Sequence, residues 1–180
     1  GLAEAALRDR NRLSPRLQAV ALRQHANASA LSGDREGCLR SLDLARAAAA
    51  APVTDPDDEI AGYCSPAYVE METGHCWTQL GEPGRAVAVL QRALAAWPAG
   101  QERDRGLCLA RLALAHAQSG DLDAAASAGI DALTVVQSST SARSLDQLCR
   151  LRVLLAGSRN VGSANEFEAA LSDLLCETGR

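Results

Sequence analysis

The sequence predicts an all-α chain built as a solenoid of antiparallel helix pairs with a terminal capping helix pair. Three observations predict it. Alanine and leucine are plentiful and β-branched residues few, which favours helix over strand. Glycine turns recur at Gly33, Gly81 and Gly120, each ending one apolar-periodic stretch just before the next begins. After each turn the same three slots return, filled by Cys38, Leu42 and Ala45, then Ala86, Leu90 and Ala93, then Ala125, Gly129 and Ala132. At 180 residues the chain is long enough to bury a sizeable core as one domain.

Taken in order, Gly1 to Asn11 reads as helix, with Leu2, Ala5, Ala6 and Asp9 at helical spacing. No capping signal precedes it, so an N-terminal part of a longer protein is expected before Gly1. Ser14-Pro15 is a start signal, a serine cap followed by proline at the first helical position. That helix is expected to run to about Leu31. Gly33-Asp34 then makes the turn, with Asp34 capping the next helix and Glu36 complementing its positive end. In the stretch AYVEMETGHCWTQLGEPGRAVAVLQRALAAWP (67–98), Leu80-Gly81 stops one helix and Pro83 starts the next. Small residues, Gly74 against Ala86 and Ala93, let these two helices approach, while Trp77 and Leu90 fill the space on either side. A third pair turns at Gly120-Asp121. A helix from about Ala142 to Ala156 carries Leu145, Leu148, Leu151 and Leu155 on one face. Ser163 with Glu166 reads as a capping box opening the last helix, which buries Phe167, Ala170, Leu171 and Leu174.

The central pair resembles a tetratricopeptide (TPR) repeat, whose bulky, small, aromatic, alanine, bulky and proline slots hold Thr73, Gly74, Trp77, Ala86, Leu90 and Pro98. Glu70, in the opening tryptophan slot, departs from that pattern. The repeats span about 14–51, 66–98 and 102–137, with a cap at 141–177. The turn glycines are 48 and 39 residues apart, against about 34 for a bare repeat. The larger excess falls on PVTDPDDEIAGYCSP (52–66), rich in turn formers, and the smaller near Pro98 to Arg103.

Several function classes are excluded by composition. Net charge is −4, and all 18 basic residues are arginine, read as the codon bias of a GC-rich genome. Such a chain offers no overall electrostatic footprint for nucleic acid. The six cysteines show no CxxC and no regular spacing. No signal-peptide pattern is present and no apolar run approaches the roughly 18 residues needed to span a bilayer. The expectation is a cytoplasmic protein with reduced thiols and no membrane partner.

In a stack of this kind the first helix of each pair lines a concave face. On the central one, Tyr68, Met71 or Glu72, His75 and Gln79 share a face by i, i+3/4, i+7, i+11 spacing. The same register offers Arg23 and Asn27 on one side, and Leu107, Arg111, Leu114 and Gln118 on the other. Tyr63 and Cys64 lie in the insertion that enters the central helix, placed to fold over a groove end. The candidate groove residues are therefore Arg23, Asn27, Tyr63, Tyr68, Met71, His75, Gln79, Arg111 and Gln118, with Arg111 the anchor for an acidic group. Their mixed character suits a peptide or a medium-sized ligand; a solvated or domain-covered surface is the competing expectation. Glu72, His75 and Cys76 sit within one turn, but no fourth ligand stands at zinc spacing, so no metal is expected. Cys76, Cys64 and Cys108 read as small core hydrophobes, and His25 and His116 as structural histidines on apolar faces. No GxSxG, HExxH or P-loop occurs, and GEPGR (81–85) lacks the lysine and hydroxyl of a phosphate loop. Neither an enzyme nor a cofactor is expected.

A narrower resemblance covers nearly the whole chain. LSPRLQAVALRQHANASALSGD (13–34), GYCSPAYVEMETGHCWTQLGEPGRAV (62–87), QERDRGLCLARLALAHAQSGD (101–121) and RSLDQLCRLRVLLAGSRNVGSANEFEAAL (143–171) look like the C-terminal TPR region of bacterial XRE-type helix-turn-helix transcriptional regulators. The resemblance implies a ligand-sensing or protein-interaction and dimerisation domain, a homodimer being among the assemblies it allows. DNA would then be bound only through an N-terminal domain missing from these residues. The alternative is a stand-alone TPR adaptor that recruits a protein partner.

Overall fold

The computed structural model describes residues 12–52, 60–139, 141–156 and 162–177, together with Ala5, Leu7 and Arg8. The helix expected over 1–11 lies largely outside these residues, as does 53–59 of the first insertion. Among the described residues the fold is all-helical, with eight delimited helices and no strand. They are α1 (Pro15–Leu31), α2 (Arg35–Ala50), α3 (Pro66–Gln79), α4 (Pro83–Ala95), α5 (Glu102–Gln118), α6 (Leu122–Ser139), α7 (Ala142–Leu155) and α8 (Gly162–Glu177).

The starts and stops follow local chemistry. Ser14 accepts from the Leu17 amide at 3.5 Å and Asp34 from the Gly37 amide at 2.9 Å. Ser65-Pro66 repeats the Ser14-Pro15 arrangement, its hydroxyl accepting from the Tyr68 amide at 3.2 Å. The three turns are built alike. Gly33, Gly81 and Gly120 have φ of 77, 77 and 86°, the left-handed region where a Cβ is penalised. Beyond each glycine the next amide reaches back over the turn, Asp34 to Ser29, Glu82 to Trp77 and Asp121 to His116, at 2.9, 2.9 and 3.0 Å. That bond satisfies a carbonyl the helix end leaves unpaired.

Helices pair in sequence, α1 with α2, α3 with α4, and α5 with α6, and each pair packs on the next. The recurring slots are the buried contacts: Cys38, Leu42, Ala45, Ala86, Leu90, Ala93, Ala125 and Ala132 are all exposed by 1% or less. Gly74 packs against Leu90: a Cβ there would lie 2.5 Å from Leu90 Cγ. The departing slot also finds its reason, because Glu70 Oε1 accepts from Arg46 Nε of α2 at 2.5 Å.

The end of the chain departs further. Helix α7 packs on α5 and α6, and α8 on α6, while α7 and α8 touch each other far less than the helices of any earlier pair. Gly129 of α6 is the shared seat, since a Cβ there would lie 2.8 Å from both Leu151 and Phe167. The expected capping box is not formed: α8 already includes Gly162, and the Ser163 hydroxyl donates to Asp123 of α6 at 3.0 Å. No helix among the described residues is long and apolar enough to cross a membrane.

Candidate functional site

Glu72 sits in the middle of α3 with 2% of its side chain exposed, where a lone carboxylate would be strongly disfavoured. Both oxygens are engaged. Oε1 accepts from Arg111 Nη1 of α5 at 3.0 Å, and Oε2 from Asn27 Nδ2 of α1 at 2.9 Å. The Asn27 carbonyl in turn accepts from the Cys76 thiol at 3.0 Å. Burial pushes the Glu72 carboxyl up, but Arg111, the Asn27 hydrogen bond and Arg23 outweigh it and hold it at about 2. Burial also raises Cys76 and takes Cys108 to about 12, so both stay as thiols. One carboxylate thus ties α1, α3 and α5 together beneath a shared surface.

Arg23, 7% exposed, donates to the Tyr63 hydroxyl at 3.1 Å and lies over the Tyr68 ring, 5.2 Å from its centroid. The two tyrosines meet edge to face at 5.2 Å. Arg16 Nη1 donates to the Cys64 carbonyl at 2.6 Å. The end of the first insertion is therefore pinned onto α1. Burial raises the Tyr68 phenol, with the Glu72 charge adding to it.

Above this floor a cleft runs along α3, α5 and α7 in two adjoining halves of about 330 Å³ each, with His75 and Gln147 lining both. One half adds Arg111 and Arg143, the other Gln79, Leu114, Gln118, Val153 and Leu154. Burial and the Arg111 charge, with Arg150 adding, outweigh Glu72 and hold the His75 imidazole down at about 4. It is neutral near pH 7, with one donor and one acceptor nitrogen. A larger cavity of about 470 Å³ opens between α7 and α8, but it contains none of the candidate groove residues.

The nine candidates divide. His75, Gln79, Arg111 and Gln118 line the cleft. Asn27 supports it through Glu72, and Arg23 and Tyr63 form a cluster at its end. Met71 and Tyr68 are 0 and 1% exposed and belong to the core, so they present no surface to a ligand. Of Met71 or Glu72, it is Glu72 that lies on the groove side, where Arg111 and Asn27 compensate its charge. The α7 residues Arg143, Gln147, Arg150 and Leu154 were not expected in the site. Their i, i+4, i+7, i+11 spacing opposite the leucine stripe is a signal that finds them. The core cysteines are where they are expected, Cys38, Cys64, Cys76 and Cys108 all being buried. His25 Nδ1 lies 2.9 Å from the Ser41 hydroxyl. No protein-family model, no curated protein and no solved structure matches the chain.

Proposed function

We propose that this chain is a TPR-like helical-repeat sensor or interaction domain of a transcriptional regulator. In this reading it binds a peptide or small molecule in the concave groove and catalyses nothing. The observation that carries the reading is the cleft along α3, α5 and α7 over an Asn27–Glu72–Arg111 floor in which both carboxylate oxygens are engaged. A buried ionic floor adds little net stability over apolar packing, but it holds Arg111 in one place. Such pre-organisation favours binding because less side-chain freedom is lost. Gln79, Gln118 and Gln147 add amides that both donate and accept. DNA contact would belong to a separate domain, since the chain is acidic overall.

A ligand and peptide screen by thermal shift on the 180-residue protein tests this, because anything that binds only the folded state raises its melting temperature. Each hit is repeated on a Gln79→Ala/Gln118→Ala variant that melts like the parent. Loss of the stabilisation supports the groove. Stabilisation undiminished by both changes moves the site elsewhere and leaves this face as a docking surface for a folded partner.

A further inference from the structure

The two halves of the cleft differ in chemistry, and the difference constrains what fits. At the end nearest the N-termini of α5 and α7 stand Arg111 and Arg143, with His75 between the helices. The carboxylates nearby are already taken: Glu72 by Arg111 and Asn27, Asp104 by Arg143 at 3.2 Å, and Asp146 by Arg150 at 3.1 Å. The guanidiniums are less fully used. Arg111 Nε is buried and finds no acceptor among the described residues, and Arg143, which also interacts with the Tyr68 hydroxyl, is 56% exposed. An incoming carboxylate meets the exposed Arg143 guanidinium there, whereas an incoming cation meets like charge. The proton affinity of His75 is lowered first by burial and then by the Arg111 charge, with Arg150 adding from the other half of the cleft.

The opposite end exposes more apolar surface, although Gln79, Gln118, Gln147 and Arg150, the last paired with Asp146, also line it. Leu114 forms its floor, and Val153 and Leu154 stand 73 and 45% exposed on α7. These two are not part of the α7 stripe of Leu145, Leu148, Leu151 and Leu155 that packs inward. From Arg111 to Gln118 the helix rise gives about 10 Å, and from Arg143 to Leu154 about 16 Å. An extended chain covers that range in three to five residues at about 3.3 Å each. Between the ends, the Gln79 and Gln118 amides make no hydrogen bond among the described residues and can pair with peptide N–H and C=O groups.

We infer that the cleft selects an extended peptide with an acidic residue at the Arg111–Arg143 end and an apolar residue three to five positions away against Leu114, Val153 and Leu154. This rests on the reading of the cleft as a ligand groove. The probe is a pool of degenerate hexapeptides, acetylated and amidated, panned on the 180-residue protein. The best binder is then measured by calorimetry beside the peptide whose acid is replaced by its amide. The pool should be enriched in Asp or Glu three to five positions from Leu, Ile, Val or Phe. Arg143→Gln should weaken the acidic peptide about tenfold and its amide form little, and Leu154→Ser should weaken both. Binding without acidic preference, or with Lys or Arg enriched, overturns the inference and leaves the groove standing. Octanoate binding as tightly as the best peptide replaces the peptide by a simple carboxylate and overturns the peptide assignment. Retention of no peptide, with octanoate also failing to bind, removes the groove reading and this inference together.

Discussion

Arg111 Nη1 lies 3.0 Å from Glu72 Oε1 across the α5–α3 contact, with 12% of the arginine and 2% of the glutamate side chain exposed. Breaking such a pair from one side leaves a buried charge without compensation. Arg111→Met should therefore destabilise the fold by about 3–5 kcal/mol. The double variant Glu72→Leu/Arg111→Met should recover most of that loss, because no charge is left buried. Urea unfolding of the three proteins checks this, and an Arg111→Met midpoint equal to the parent's rejects the buried pair.

Two groups make stability depend on pH with the same sign. Glu72 is held at about 2, below its ordinary 4.5, so the unfolded chain takes up its proton first as pH falls. Its contribution is complete above about 4.5 and is lost toward pH 2. His75 is held at about 4, below its ordinary 6.5, so its contribution is lost between those values as pH falls. Unfolding measured from pH 7 to 3 should steepen in two windows. His75→Gln should flatten the upper one and Glu72→Gln the lower. A Glu72→Gln protein with the parent's slope below pH 4.5 contradicts the assignment.

Gly74→Ala pits two effects against each other. Alanine gains about 1 kcal/mol of helix propensity over glycine. The new Cβ would lie 2.5 Å from Leu90 Cγ, on a fully buried side chain. Overpacking of that kind costs about 1–3 kcal/mol, so the melting temperature should fall. Adding Leu90→Ala should make the glycine change favourable, and a double variant with strictly additive losses would place Leu90 elsewhere.

Gly81 and Gly84 both have open space around a would-be Cβ, so their contrast isolates the backbone. Gly81 sits at φ 77°, where an alanine costs about 1–2 kcal/mol. Gly84 lies inside the first turn of α4, where alanine gains about 0.5–1 kcal/mol. Thermal melts should move in opposite directions for Gly81→Ala and Gly84→Ala.

Local rules determined the helix boundaries. Ser14-Pro15, Asp34 and Pro83 are starts, and Gly33, Gly81 and Gly120 are stops, because a cap or a left-handed turn is a matter of a few adjacent residues. The buried faces were legible for the same reason, since periodicity alone brings Leu145, Leu148, Leu151 and Leu155 to one side of a helix. Residues 71 and 72 are about 100° apart on the helix, so spacing alone left the groove-side position open between Met71 and Glu72. The choice fell to Glu72 only when α1 and α5 brought Asn27 and Arg111 within 3.0 Å of it. Likewise, nothing near Ser163 in the chain announces that its hydroxyl will bond Asp123, 40 residues earlier. The polar side of α7 became a cleft wall for the same reason: its neighbours α3 and α5 are distant in sequence, and only their packing brings them to face it.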